Sequence, residues 1–228
     1  MNLKILVINP VGHGKWDQSD KELFMKYAAP DTQIEVINLG KGPKSVETGR
    51  DFAEVLPLVI EKGLEYEKEF DAIIVNCFLD PGVDILKTLV KKPVVGPCEA
   101  SLAIASILGW RFGIVTISSN DAIFMIEDRI RMLGYSDRLI AIKGIGIPVI
   151  ELDKDIERTK RAVINCSRTL VKEYRAEVII LGCTGLAGIS KDVEQEVHVP
   201  IVDPAIAALK VAEALVRMDL VHSRLRYI

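Results

Sequence analysis

Ala72-Ile73-Ile74-Val75-Asn76-Cys77-Phe78-Leu79-Asp80-Pro81-Gly82 reads as a short β-branched strand that ends on a cysteine and turns at once toward a helix. Asp80 suits a helix N-cap, and Pro81 suits the first helical position, where the missing N–H would have had no partner. Half a chain later the passage recurs: Leu181-Gly182-Cys183 closes another apolar run, and Thr184-Gly185-Leu186-Ala187-Gly188 comes next, with small residues that let a ligand approach the backbone. The offset holds elsewhere. Asn9 and Thr116, closing strands, lie 107 residues apart, as do Pro93 and Pro200, opening strands; the two cysteines are 106 apart, one residue slipped. Few residues are identical between the halves, so the repeat rests on pattern and punctuation.

Working outward, β-branched runs alternate with longer amphipathic stretches, the signature of parallel strands covered by helices. Strands are expected near 3–8, 34–38, 72–76, 93–95, 112–117, 138–142, 177–182 and 200–202. Helices are expected near 17–28, 45–69, 82–91, 98–108, 120–133, 153–174, 187–196 and 204–218. The fold class is therefore α/β: two pseudo-symmetric parallel-sheet halves, with the active site in the cleft between them. The first half should comprise 1–97 plus 205–228, its last helix returning from the second half, 98–204. In open parallel sheets ligands bind beyond the carboxyl ends of the strands, and Asn9, Cys77, Thr116 and Cys183 all occupy such ends.

The chain has 228 residues, 49% of them hydrophobic, enough for a sizeable core. Its 29 basic residues are scattered among 32 acidic ones, for a net charge of −3, which argues against a nucleic-acid or anionic-membrane surface. The apolar run at the N-terminus is too short for a signal peptide, and no stretch reaches membrane-spanning length. A cytoplasmic protein acting on a small molecule is expected, with neither nucleic acid nor membrane as partner, assembled as a homo-oligomer. The four cysteines (Cys77, Cys98, Cys166, Cys183) lack the close spacing of a zinc site and should be free thiols in a reducing compartment. The histidines (His13, His198, His222) are too dispersed for a metal centre; no metal or cofactor is expected, since dinucleotide and phosphate-loop fingerprints are also missing.

Cysteine is often a small core residue, and that reading suits Cys166, on the inner face of a long helix with Val163 and Leu170, and Cys98 at a helix start. Cys77 and Cys183 differ because they form a matched pair at equivalent strand ends. Nearby helix-start N–H groups should draw both thiols toward neutrality. Two opposed thiols can invert a stereocentre: one takes a proton from one face of a carbon while the other returns a proton to the opposite face. The carbanion's charge would pass to a neighbouring carbonyl oxygen, bound by backbone N–H groups.

Asn76-Cys77-Phe78-Leu79-Asp80-Pro81-Gly82 resembles the first cysteine motif of hydantoin racemases, and Leu181-Gly182-Cys183-Thr184-Gly185 resembles the second. Gly42-Pro43-Lys44-Ser45-Val46-Glu47 is similar to a further segment of that family, and Pro93-Val94-Val95-Gly96 and Val202-Asp203-Pro204 fall in order. The resemblance, to the Asp/Glu/hydantoin racemase superfamily and its hydantoin or allantoin branch, spans nearly the whole chain. It implies racemisation without metal or pyridoxal phosphate, Cys77 and Cys183 as catalytic acid and base, and substrate contacts from Asn9, Pro10, Asn76, Phe78, Thr116, Thr184 and Gly185. Phe78-Leu79 and Thr184-Gly185 depart from the residues usual after the cysteines of glutamate racemases, which favours a neutral cyclic ureide. An amino-acid racemase, a maleate isomerase-like or arylmalonate decarboxylase-like enzyme, and a non-catalytic binding protein are the alternatives. The first loop departs from the family: after Asn9-Pro10 come Val11-Gly12-His13-Gly14. This Gly-rich loop is expected to be mobile without ligand, with His13 either facing solvent or supplying a substrate hydrogen bond.

Overall fold

The computed structural model describes residues 2–117, 120–223 and 225. The strands are β1 (Leu3–Asn9), β2 (Thr32–Asn38), β3 (Ala72–Val75), β4 (Val94–Val95), β5 (Phe112–Thr116), β6 (Leu139–Gly144), β7 (Val178–Leu181) and β8 (Ile201–Val202). Between them run α1 (Asp17–Tyr27), α2 (Gly49–Tyr66), α3 (Val83–Leu89), α4 (Pro97–Leu108), α5 (Asn120–Met132), α6 (Ile156–Lys172), α7 (Ser190–Val197) and α8 (Pro204–Arg217). They build two separate four-stranded parallel sheets with the same order, β2-β1-β3-β4 and β6-β5-β7-β8.

The apolar pattern explains which strands are central. β3 and β7 are buried at every residue and β1 at all but Lys4, as strands covered by helices on both faces must be. Edge strand β2 begins with strict alternation, burying Thr32, Ile34 and Val36 while Gln33 and Glu35 face out. The fourth strands are only two residues long, each opened by a proline (Pro93, Pro200) that cannot donate to a ladder.

One local expectation is corrected. Helix α3 begins at Val83, with Gly82 in the capping position at φ 77°, so neither Asp80 nor Pro81 starts it. Asp80 itself adopts φ 51° and is buried. Its carboxylate lies against Gly96 so closely that a Cβ there would collide with Oδ1. Asp80 thus spends its side chain on the β4 loop. In α6 the fully buried residues are Thr159, Val163, Ser167 and Leu170; Cys166 packs against the same core as Val163 and Leu170 but is only half-buried, its sulfur 3.7 Å from the Gly144 carbonyl oxygen. Cys98 is fully buried near the start of α4.

The chain divides into two compact units. The first holds the residues through Val46, Arg50–Pro97 and those from Ala208 on; the second holds Glu47–Gly49 and Cys98–Ala207. The second crossing therefore lies inside α8, four residues after Pro204 opens it, and not at residue 205. Residues 224 and 226–228 of the expected first half lie outside the described residues.

Glu213 fastens α8 to the first unit. Its Oε1 accepts from the Ala29 N–H at 2.7 Å and the Thr32 hydroxyl at 2.8 Å, and Oε2 accepts from Lys210 at 2.8 Å. Burial alone would raise its pKa, but the bonds from Lys210, Ala29 and Thr32 outweigh that and lower it. A lowered carboxylate pKa stabilises above the ordinary glutamate range, and that contribution is lost as pH falls. Glu213→Ala strands a buried hydroxyl and an amide, so chemical denaturation at pH 7 should show a loss of about 2–4 kcal/mol. The deficit should shrink toward pH 3.

Candidate active site

The two sheets end alike. In the first, Ile8 is in register with Val75, and the Asn76 N–H donates to the Ile8 carbonyl at 2.8 Å. In the second, Val115 is in register with Leu181, and the Gly182 N–H donates to the Val115 carbonyl at 2.7 Å. Asn9 thus corresponds to Thr116, Asn76 to Gly182 and Cys77 to Cys183. The single-residue slip in the sequence offset is resolved at this point: the central strands keep 107, and the cysteine-bearing strands keep 106.

Each pair is bridged, with different chemistry. In the first unit the Asn76 amide donates to Asn9 Oδ1 at 2.9 Å. The Asn9 amide donates to Asp17 at 2.9 Å and to Asp20 at 2.8 Å, both in the first turn of α1, while Asn38 at the end of β2 donates to the other Asp17 oxygen at 2.6 Å. In the second unit the Thr116 hydroxyl donates to the Gly182 carbonyl at 2.8 Å. A side chain at Gly182 would collide with Ile114 at 2.6 Å, so only glycine fits. Asn9 and Thr116 are buried and engaged with their own strand ends, and Pro10 and Phe78 are also buried. The side chains of Asn9 and Thr116 hold the backbone that carries each thiol.

Asp20 is costly. Burial, set against hydrogen bonds from Asn9 and Asn76 and reinforced by the neighbouring Asp17, raises its pKa from 3.8 to about 6. Sequence reasoning missed this network. Its signal was present as an asparagine at the end of three successive strands, Asn9, Asn38 and Asn76, facing two aspartates one turn apart.

Cys77 and Cys183 are both half-buried, and neither is in a disulfide. The Cys77 turn closes through Asp80 N–H to the Cys77 carbonyl at 2.9 Å. Cys183 is extended, at φ −154°, and leads into a short 3₁₀ turn, Thr184–Leu186, with Leu186 N–H donating to the Cys183 carbonyl at 3.0 Å. Thr184 is half-buried and Gly185 exposed. A Cβ on Gly185 would lie 2.9 Å from Leu152 and 3.5 Å from the Cys183 sulfur, so glycine keeps the approach to the thiol open.

The expectation of a thiol drawn toward neutrality is overturned at Cys183. The backbone amides of Gly185 and Leu186 do lower its pKa, but burial among apolar neighbours is the larger effect, and the Glu47 carboxylate adds to it; the thiol is pushed up to about 12. A fractional charge from two amides does not offset removal of a thiolate from water. The next helix in the chain after Cys77, α3, starts at Val83.

The Val11–Gly14 loop, expected to be mobile without ligand, is bonded to two neighbouring segments at Val11 and Gly12. Gly12 N–H donates to the Pro43 carbonyl at 2.9 Å, Leu39 N–H donates to the Val11 carbonyl at 3.0 Å, and a Cβ on Gly12 would lie 2.5 Å from the Gly42 carbonyl oxygen. His13 is half-buried, edge-on to Trp16. Its Nδ1 accepts from Lys15 N–H at 3.3 Å, which puts the proton on Nε2, 2.9 Å from the Lys44 carbonyl that accepts it.

The family model for Asp/Glu/hydantoin racemase matches residues 5–212. The chain belongs to this family. It is accordingly an enzyme of the isomerase class, a racemase by family. A hydantoin racemase of Paenarthrobacter aurescens is 34% identical over 95% of this chain and 92% of its own length. Allantoin racemase from Pseudomonas fluorescens superposes with a TM-score of 0.94 at 31% identity, covering 98% of this chain and 95% of that one. Allantoin racemase from Klebsiella pneumoniae gives 0.92 at 28% identity, covering 97% and 90%. Among the described residues of this racemase-family chain, no cluster of three or more His, Cys, Asp or Glu could hold a metal ion, and no helix is long and apolar enough to cross a membrane.

Proposed function

We propose that this enzyme is a cofactor-independent, two-base racemase that inverts C5 of a 5-substituted hydantoin or a related cyclic ureide such as allantoin. Cys77 and Cys183 each serve one face of the stereocentre. The observation that carries this reading is the equivalence of the two thiols, each two residues beyond the last paired residue of a corresponding strand. Hydantoin and allantoin racemases of the same family, alignable over nearly the whole chain, support the substrate class.

In this mechanism burial keeps Cys183 a thiol at rest, leaving Cys77 to act first as base. The Cys77 thiolate takes the C5 proton from one face, the electron pair moves into the adjacent carbonyl as an enolate, and the Cys183 thiol delivers its proton to the opposite face. The pair ends with its proton on Cys77, the state that converts the other enantiomer, so its titration belongs to the couple and not to either residue. Thr184 and Gly185, on the open side of the Cys183 turn, are assigned to the ring. Asn9, Asn76 and Thr116 shape the strand ends. Segments 9–14, 76–82 and 182–188 contain no Arg or Lys, which suits a neutral ring better than an amino-acid carboxylate. A reducing cytoplasm would keep both thiols free.

The test is proton NMR in deuterated water with 5-substituted hydantoins, allantoin, aspartate and glutamate as single enantiomers. Loss of the stereocentre proton, with equal kcat/KM in both directions, is expected for a ureide; an equilibrium constant of one between enantiomers requires that equality. Turnover confined to aspartate or glutamate would replace the proposed substrate class, and no turnover would overturn the activity.

A further inference from the structure

Glu47 occupies an unusual place in the chain. Residues up to Val46 and from Arg50 group with the first unit, but Glu47–Gly49 group with the second. There the half-buried Glu47 Oε1 accepts from the Val149 N–H at 3.2 Å. Val149 opens the short 3₁₀ turn Val149–Glu151, so its N–H is one of the amides such a turn leaves without an internal partner. Val149 and Cys183 flank the same residue: Val149 Cγ1 lies 4.0 Å, and the Cys183 sulfur 3.5 Å, from the position of a Cβ on Gly185. One side chain therefore caps the turn that stands beside Gly185 and brings a carboxylate to the Cys183 side of the second unit.

We propose that Glu47 is a positioning residue for Cys183: its carboxylate, anchored on Val149, opposes formation of a thiolate at that sulfur and so makes Cys183 the proton donor of the resting pair. The proposal rests on the two-thiol reading above and gives it a direction. Other charged groups near the turn are committed elsewhere. Glu151 points to Lys154, 3.8 Å away. The Asp203 carboxylate accepts from the amides of Gly188, Ala205 and Ile206 at 2.6, 3.1 and 3.3 Å. The carboxylate that acts on the Cys183 sulfur, disfavouring its charged form, is that of Glu47. The residue is on no catalytic path of its own, since the reacting proton passes between C5 and sulfur.

Glu47→Gln separates charge from capping, because the amide oxygen still accepts from Val149. Site-resolved mass spectrometry should track alkylation of Cys183 by iodoacetamide against pH in the full chain. Only thiolate reacts, so at a fixed pH below the midpoint the Glu47→Gln rate should rise about threefold or more, equivalent to roughly half a pH unit. Glu47→Ala, which loses both functions, should react at least as fast, and Glu47→Asp should stay within about a factor of two of the parent. The descending alkaline limb of kcat/KM, where the pair loses its last proton, should move to lower pH in Glu47→Gln. A Cys183 rate unchanged in Glu47→Gln but raised in Glu47→Ala would make Glu47 only a cap and overturn the proposal; so would no change in either. Alkylation needs no substrate. A chain inactive on every ureide but showing the accelerated Glu47→Gln reaction would therefore refute the activity while leaving the Glu47–Cys183 coupling in place.

Discussion

Replacing either Cys77 or Cys183 by serine should reduce racemisation by a factor on the order of 10³–10⁴ or more, because an alcohol is too weak an acid to stand in for a thiol that must exist as thiolate during the cycle. The activity that survives should be one-sided. In Cys183→Ser the remaining Cys77 thiolate still reaches one face of C5, so one enantiomer should exchange its proton for deuterium with retention. In Cys77→Ser the other enantiomer should exchange. That second exchange should be the slower near neutral pH and climb as pH rises, since burial holds Cys183 in its thiol form up to about 12. Proton NMR of each pure enantiomer in deuterated water, after subtraction of a protein-free control, reads all of this. Both variants interconverting enantiomers near the parental rate would refute the two-thiol mechanism. Loss of exchange with the same enantiomer in both would leave one cysteine structural and the other base elsewhere.

The fold was legible because central parallel strands, covered on both faces, read as continuous apolar runs, and all eight strands overlap the short β-branched runs where they were expected. The pairing of Cys77 with Cys183 was legible for a related reason: strand register fixes the positions just past Val75 and Leu181, and register is set by hydrophobic pattern. The failures were local and electrostatic. Asp80-Pro81 has the composition of a helix start, but a left-handed Asp80 turns the chain inward against Gly96, and that conformation depends on β4, a distant segment. Spacing from Val163 and Leu170 puts Cys166 on the core face, and it packs there, but the fully buried place beside it goes to Ser167. The thiol shift at Cys183 has the sign opposite to expectation because a turn amide can be inferred from sequence, while the residues that bury it and the charge of Glu47 arrive from elsewhere in the chain. In the first loop Gly12 stands where the Gly42 backbone leaves no room for a side chain, and close approach, not freedom, is its reason.

Asp20 should make this protein less stable as pH rises, against the usual trend for carboxylates. Its folded pKa, about 6, lies above its ordinary 3.8, so between those values the folded chain binds more protons than the unfolded one. Stability attributable to Asp20 is then fully present below about pH 4 and is lost as pH climbs through 6, amounting to roughly 2–3 kcal/mol. Asp20→Asn removes the titration while keeping an oxygen that can accept from the Asn9 amide, whose 2.8 Å bond is the shortest that Asp20 receives. Denaturation measured from pH 4 to pH 8 should therefore show the variant equal to or less stable than the parent at the acid end and more stable by about 1–3 kcal/mol at the alkaline end. The converse substitution, Asn9→Ala, takes away the amide that bridges Asp17 and Asp20 and leaves the two carboxylates facing each other, so it should destabilise at pH 8 by more than at pH 4. A parallel offset between parent and Asp20→Asn across the whole range would show that Asp20 does not titrate in this window. Because Asn76 donates to Asn9 and directly precedes Cys77, the same network sets the backbone that carries the first thiol. A carboxylate that costs the fold stability at neutral pH is held where the strand end must be rigid.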